Sequence, residues 1–206
     1  ASGLLQLFVS LIQALVCLSA FYGFVMGFPG GWRQCACSAL KVPMLLLLSL
    51  CICFPAMAVL TMLIGLPLNS FQIVNLLLAV LVLNAVLLAS TAPIAWFFGI
   101  TSDYDFVKLT HVAFFASTAL YSMWVLLRAL LLVGASIPGG TGASMRLFLL
   151  WIAAYGFVGC QMAWLLRPFI GAPGLPFEFL RRRTGGMSFY TAVLFSGRAF
   201  YTTRGQ

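Results

Sequence analysis

Side chains that could carry out catalysis or bind a metal are few in this sequence. It contains one histidine, His111, and three acidic residues among 206 residues. His111 follows Lys108 by three residues, so the two share one side of a helix if the segment is helical. Such a histidine could be an axial ligand for a heme or chlorophyll, or a proton relay. Without a nearby carboxylate, a hydrogen bond to a neighbouring helix is the interpretation that we favour.

The six cysteines lack the spacing of a metal site. Cys35 and Cys37, like Cys51 and Cys53, are separated by one residue, whereas zinc and iron–sulfur sites use longer ligand spacings. Cys35 and Cys37 are predicted to lie in a loop, and Cys51 and Cys53 to point to different sides of one helix. We therefore expect small buried apolar side chains, with no metal and no resident cofactor.

Polar residues within long apolar segments are costly in lipid and are often functional. Here they are the uncharged Gln13, Asn75, Asn84 and Gln161. No acidic residue falls in the middle of an apolar segment, which argues against an ion-driven transporter and an intramembrane hydrolase. We expect buried amides that bond between helices, each contributing about 1 kcal/mol. A solute path past Asn84 and Gln161, at breaks near Pro55 and Pro93, is the alternative.

The composition indicates lipid as the solvent. Hydrophobic residues form 63% of the chain and charged residues 7%, against about 45–50% and about 25% in soluble domains. In lipid, every backbone polar group must be paired internally, which leaves helices or a closed barrel. The apolar runs are long and continuous, and barrel strands would alternate instead. The sequence therefore predicts membrane-spanning helices.

Five apolar segments reach the length of about 20 residues that a span requires. The predicted spans are residues 4–26, 40–64, 71–98, 106–133 and 145–166. The predicted fold is therefore all-α, a polytopic transmembrane helix bundle formed by residues 1–168. Residues 169–206 form a basic amphiphilic tail that we expect to run extended along the membrane surface.

Basic residues indicate how the bundle is oriented. With five spans, nine of the eleven basic residues fall on the face that carries the C-terminus. Because positive residues concentrate on the cytoplasmic side, we place the C-terminus in the cytoplasm, stroma or matrix. The expected location is a bacterial inner membrane or an organelle membrane. This bias also explains the net charge of +8, so no nucleic-acid partner is expected.

The tail combines aromatic and basic residues, and prolines at 168, 173 and 176 interrupt any helix there. Its candidate lipid- or partner-binding residues are Arg167, Phe169, Phe177, Arg181, Arg182 and Arg183. The phenylalanines would enter the apolar layer. The arginines would meet lipid phosphates or an acidic partner, at about 1 kcal/mol per charge.

Small residues occur at two helix-packing spacings. Gly23 and Gly27 form a GxxxG pair, and Gly156, Gly159 and Ala163 repeat along one side of span five. Such faces let helix backbones approach closely, either within the bundle or against another subunit. The sequence leaves both arrangements open.

Three groups of residues suggest a family. They are the run from Tyr155 to Gln161 with Trp164 and residues 167–171, Tyr22-Gly23 with Met26-Gly27, and Lys41-Val42-Pro43. Together they resemble a family of uncharacterised multi-span proteins of bacterial genomes. That resemblance covers most of the chain and implies no known activity. In span count the chain is also similar to Yip1-type five-span proteins, which are linked to trafficking and membrane shaping.

These observations predict a non-enzymatic protein, because no acid–base, nucleophile or metal set is evident. We expect a structural or accessory subunit, or an assembly factor, of a larger membrane complex, including energy-converting complexes with or without bound pigment. The expected partners are membrane lipids and other membrane-protein subunits. An oligomeric small-solute transporter or channel, and a Yip1-like membrane-shaping protein, are the alternatives.

Overall fold

The computed structural model describes residues 2–64, 68–135, 140–166 and 169–170. In these ranges the chain forms a bundle of five long helices: α1 (Ser2–Gly27), α2 (Trp32–Ile64), α3 (Ser70–Thr101), α4 (Tyr104–Gly134) and α5 (Gly140–Leu165). By length and composition, each of the five can cross a membrane. The predicted all-α polytopic helix bundle is confirmed, and the protein is an integral membrane protein.

The helices pack as a closed ring. α1 packs against α2 and α3, α3 packs against α4, and α5 completes the ring by contacting α2 and α4. Because α2 and α3 also touch each other, α1 lies in the groove between them. In the most apolar stretch of α3, 50% of the residues are buried, whereas in that of α1 only 11% are. α1 therefore leaves most of its surface uncovered.

The short connections make successive helices antiparallel, which gives the bundle two ends. A 3-10 turn, Phe28–Gly30, joins α1 to α2. We call the end that holds this turn the turn end, and the opposite one the far end. At the turn end the ring of Pro29 lies against α3, with Cγ 3.1 Å from where a Cβ on Gly99 would stand. The turn therefore packs on the bundle rather than projecting from it.

Two clusters of buried apolar residues fill the interior. The larger joins all five helices and includes Leu15, Leu46, Leu77, Leu126 and Trp151. The smaller lies towards the turn end and includes Tyr22, Met26, Val42, Leu88 and Val107. Since lipid tails are as apolar as these side chains, close packing and polar contacts hold such helices together more than the hydrophobic effect does.

Two helices begin earlier than the sequence predicts. α2 begins at Trp32 rather than near residue 40, directly after Gly31, whose φ of 83° ends the preceding turn. Cys35 and Cys37 are therefore helical, and their predicted loop position is wrong. α5 likewise begins at Gly140 rather than near residue 145. Hydropathy marks only the apolar part of a helix, whereas a polar first turn can extend past the lipid.

The remaining helix ends follow common capping chemistry. α3 begins with a capping box in which the backbone N–H of Asn69 donates to Oε1 of Gln72 over 2.9 Å. α4 follows Asp103, and its first turn holds an ion pair of 3.1 Å between Asp105 Oδ1 and Lys108 Nζ. Only two residues separate α3 from α4, so these two helices form a tight hairpin.

Candidate functional site

A polar group at the meeting point of three helices is formed by Tyr22 of α1, Thr91 of α3 and His111 of α4, which we call the polar triad. Tyr22 and His111 are buried, and the Tyr22 hydroxyl lies 2.8 Å from Nδ1 of His111. The two rings meet edge to face with centroids 5.7 Å apart. The Thr91 side chain lies beside the Tyr22 hydroxyl. The triad therefore brings three helices together at one point.

The hydrogen bond between Tyr22 and His111 joins α1 to α4. A neutral histidine ring has one nitrogen that donates and one that accepts, so the Tyr22 hydroxyl can either donate to Nδ1 or accept from it. Thr91 Oγ1 donates to the backbone carbonyl of Leu88 in its own helix, 2.8 Å away. The structure thus places His111 in a hydrogen bond to a neighbouring helix.

Apolar groups surround the triad. Tyr22 belongs to the smaller buried cluster, and the ring of Phe115 packs edge to face on it with centroids 5.6 Å apart. The hydrogen bond between Tyr22 and His111 is therefore shielded from water and lipid headgroups. Removing one partner would leave a buried polar atom unpaired, which costs more than the bond itself contributes.

A second polar group lies one helix away, on a single face of α2. Gln34, Ser38 and Lys41 recur at intervals of four and three residues, and all three are buried. Gln34 Nε2 donates to the backbone carbonyl of Phe169 over 2.8 Å, and Ser38 Oγ donates to the same oxygen. Lys41, which the sequence assigned to the basic membrane face, is instead enclosed within the bundle.

The first described residues after α5 fold back into the bundle. Phe169 packs against the smaller buried cluster, and Ile170 is a buried member of it. The predicted insertion of Phe169 into surface lipid is therefore wrong, because two donors on α2 capture its carbonyl group. Arg167, Phe177, Arg181, Arg182 and Arg183, with the predicted tail from residue 171 onward, lie outside the described residues.

Gly23 and Gly27 lie where α1 crosses α2 at close range. A Cβ on Gly27 would stand 2.6 Å from the carbonyl oxygen of Gln34 and 2.7 Å from Cα of Cys35. A Cβ on Gly23 would overlap the backbone carbonyl of Ser38. Only a residue without a Cβ permits this approach, so the GxxxG pair packs within the chain.

Gly156 and Gly159 of α5 have a different environment. A Cβ added at either position would meet no atom within 4 Å, apart from its own surroundings on α5. Ala163, the third member of this small-residue face, is partly exposed. Within the described bundle no helix packs against these two glycines.

The intramembrane amides divide into buried and exposed groups. Asn84 is buried in α3, and its Oδ1 has no hydrogen-bond partner among the described residues. Asn75 is also buried, and its Nδ2 donates to the carbonyl of Phe71 in its own helix. Gln161 is partly buried. Gln13 is exposed, so its predicted burial within the bundle is wrong.

The cysteines and one small cavity lie elsewhere in the described bundle. All six cysteines are free thiols. In the part of the chain that the structure covers, His, Cys, Asp and Glu form no group of three or more able to hold a metal ion. A cavity of about 10 Å³ lies among apolar side chains that include Leu50, Leu81, Met123 and Trp151. This volume is near the minimum for one water molecule.

Comparison with known proteins gives no match: no protein-family model, no curated protein and no solved structure is similar to this chain. The function must therefore be argued from the bundle itself. Its informative features are the polar triad, the returning segment at Phe169 and the helix faces without a neighbour.

Proposed function

We propose that this chain is a non-enzymatic integral membrane protein that serves as a structural or accessory subunit, or as an assembly factor, of a larger membrane complex. The observation that carries the proposal is the outward position of Gly156 and Gly159 on α5. The buried contact between Tyr22 and His111 joins two helices of the bundle.

Glycine in a helix needs a compensating contact. Each glycine destabilises a helix by roughly 1 kcal/mol relative to alanine, and close backbone packing offsets this cost. Gly23 and Gly27 gain such packing from α2. Gly156 and Gly159 gain none within the described chain, so we infer that a helix of another subunit packs against them.

The position of α5 in the ring agrees with a docked subunit. α5 contacts α2 and α4, which leaves the opposite side of the helix open. On that side Phe157 is 60% exposed beside the two glycines. The two glycines leave a shallow groove beside the large Phe157 ring, and a partner helix can pack closely into such a groove.

The proposal extends to orientation and to surroundings. We propose that the C-terminus faces the cytoplasm, stroma or matrix, on the basis of the basic residues in the sequence. We also propose that lipids cover the remaining apolar surface. A bound pigment would come with the partner complex, since His111 is engaged with Tyr22.

A second candidate function is an oligomeric pathway for a small neutral solute. The observation that favours it is the unpaired Oδ1 of Asn84, buried in the middle of α3. Reconstituted flux that Asn84→Leu abolishes would replace the first proposal with this one.

The test is extraction in a mild detergent, followed by a native gel, mass spectrometry and an absorption spectrum of the band. We expect stoichiometric partner subunits with the wild-type chain and at least a tenfold loss of them in the double variant Gly156→Leu, Gly159→Leu. Ala56→Leu, at an exposed small residue of α2, is the matched control and should retain them. Migration of the wild-type chain alone, or equal recovery of partners from both variants, would contradict the proposal.

A further inference from the structure

A row of polar and small side chains on α1 has none of the described helices opposite it. Gln6, Ser10, Gln13 and Cys17 are separated by four, three and four residues, so they lie along one side of the helix. All four are exposed. We call this row the glutamine face. Its average spacing of about 3.7 residues is close to the 3.6 residues of one helical turn, so the row stays on one side of α1 along its length.

The packing face of α1 points the other way. Leu15, Ser19, Tyr22 and Met26 have the same four-three-four spacing, and all of them are buried against the bundle. Leu15 and Gln13 are two residues apart, which places them about 200° apart around a helix with 3.6 residues per turn. α2 and α3 therefore cannot reach the glutamine face, and any partner must come from outside the described helices.

The depth of Gln13 makes the lack of a partner costly. Gln13 lies 14 residues before the end of α1 at Gly27. At 1.5 Å per residue it stands about 21 Å from the turn end, which is inside a hydrocarbon core about 30 Å thick. No partner among the described residues bonds the Gln13 side chain. Polar side chains in spans nearly always face protein or water, so this exposed amide indicates a contact that the single bundle does not supply.

Ser10 lies on the same face as Gln13 but already has a hydrogen-bond partner. The Ser10 hydroxyl donates to the carbonyl of Gln6 in its own helix over 2.9 Å. A hydroxyl can satisfy itself in this way inside lipid. A glutamine amide carries two donor hydrogens and one acceptor oxygen, and the backbone of its own helix has no free donor to offer that oxygen.

We propose that the glutamine face binds a second copy of this chain, with α1 of one protomer against α1 of the other. All copies share one orientation in the membrane, so their α1 helices run parallel and each residue meets its own counterpart at the same depth. A twofold interface places Gln13 opposite Gln13. The amide is both donor and acceptor, so one N–H of each side chain can donate to the oxygen of the other, and the oxygen that lacks a donor on its own helix gains one.

The rest of the face suits this arrangement. Ser10 and Cys17 lie one turn on either side of Gln13 and are small, which lets the two backbones approach. A different subunit would need its own amide or hydroxyl at the same depth, whereas a second copy supplies it automatically. The inference concerns α1 and does not depend on the proposed docking at α5.

Cys17 makes the proposal directly testable in membranes. In the dimer it faces the Cys17 of the other copy, so oxidation with copper phenanthroline should give a disulfide-linked product of twice 22.4 kDa. Cys17→Ser should abolish this product. A variant that keeps only Cys51, which is exposed on α2, is the matched control for random collision and should stay monomeric. No dimer dependent on Cys17, or a product of another mass, would overturn the proposal.

Variants of Gln13 give a second measurement, by energy transfer between differently labelled copies in lipid vesicles at decreasing protein density. Gln13→Leu should raise the dissociation constant of the dimer about tenfold, which corresponds to 1.4 kcal/mol. Gln13→Asn keeps an amide and should retain most of the association. Ser117→Leu, at an exposed polar residue of α4, should change nothing. Equal association of the Leu and wild-type chains would overturn the role of the amide.

Discussion

α1 and α5 carry the same kind of small-residue pattern and use it in opposite ways. On α1, Gly23 and Gly27 lie directly against the backbone of α2, with Gln34 O only 2.6 Å from a Cβ on Gly27. On α5, a Cβ on Gly156 or Gly159 would have open space within 4 Å. One pair closes the bundle, and the other lies on its outer surface.

The difference shows that a small-residue motif specifies close packing but not the identity of the partner. Both pairs look alike in the sequence, because the spacing reports only that the residues share a helix side. Which helix approaches depends on the ring order, in which α1 lies in a groove between two helices and α5 contacts α2 and α4. Substitutions on α1 and on α5 test whether the two pairs of glycines differ in this way.

The largest effect is expected for Gly27→Leu. Its side chain would collide with backbone atoms of Gln34 and Cys35, which cannot rotate away as a side chain could. We expect a loss of about 3 kcal/mol in the free energy of unfolding, measured by titration with a denaturing detergent in mixed micelles. Gly156→Leu is the matched control and should change this value by no more than about 0.5 kcal/mol. Equal losses of stability in the two variants would show that close backbone packing does not distinguish Gly27 from Gly156.

A smaller effect is expected for His111→Phe, which tests how much the polar triad contributes to holding α1 in the bundle. The substitution removes the imidazole nitrogen that bonds the Tyr22 hydroxyl and leaves this buried hydroxyl without that partner. We expect a loss of about 1–2 kcal/mol in the same titration. His111→Asn carries an amide that can bond the Tyr22 hydroxyl as donor or as acceptor, and it should recover most of the loss. If His111→Asn were as destabilised as His111→Phe, the hydrogen bond to Tyr22 would not be what stabilises this contact.

The smallest effects are expected for glycine-to-alanine substitutions, which should change the free energy of unfolding in opposite directions on α1 and α5. Gly156→Ala has open space around its Cβ and restricts the unfolded chain, so it should stabilise the protein by about 0.5 kcal/mol. Gly23→Ala should destabilise it, because the methyl group overlaps the Ser38 carbonyl. Unfolding titrations of the two purified variants would check this, and stabilisation by both would mean that the α1–α2 contact is loose.

The sequence was sufficient for the membrane class and for five helices, because length and continuous hydropathy are strong signals. It was not sufficient for the helix ends. The segment from Trp32 to Ala39 contains Arg33, Gln34 and Ser38, and hydropathy assigns such residues to a loop. In the structure Gln34 and Ser38 bond the carbonyl of Phe169, and no sequence pattern announces a contact across 135 residues.

The polar residues were predicted only in part, because contacts between distant residues leave no pattern in the sequence. The expectation that His111 bonds a neighbouring helix needed only its isolation, whereas its partner Tyr22 lies 89 residues away and could not be identified. Gln13 was assigned to the interior although it is exposed. In a soluble helix the apolar stripe distinguishes inside from outside, but a membrane helix is apolar on every side, so this signal is weak. The four-three-four row of buried residues on α1 became visible only from the packing.

The contact between α2 and the segment after α5 also sets an order on biosynthesis. The amide of Gln34 and the hydroxyl of Ser38 need the carbonyl of Phe169, which the ribosome adds 135 residues after Gln34. At about 5–20 residues per second, that interval is roughly 7–27 seconds. During this time the two donors must be satisfied by water, headgroups or the insertion machinery. The turn end of the bundle therefore closes last, after all five helices have entered the membrane.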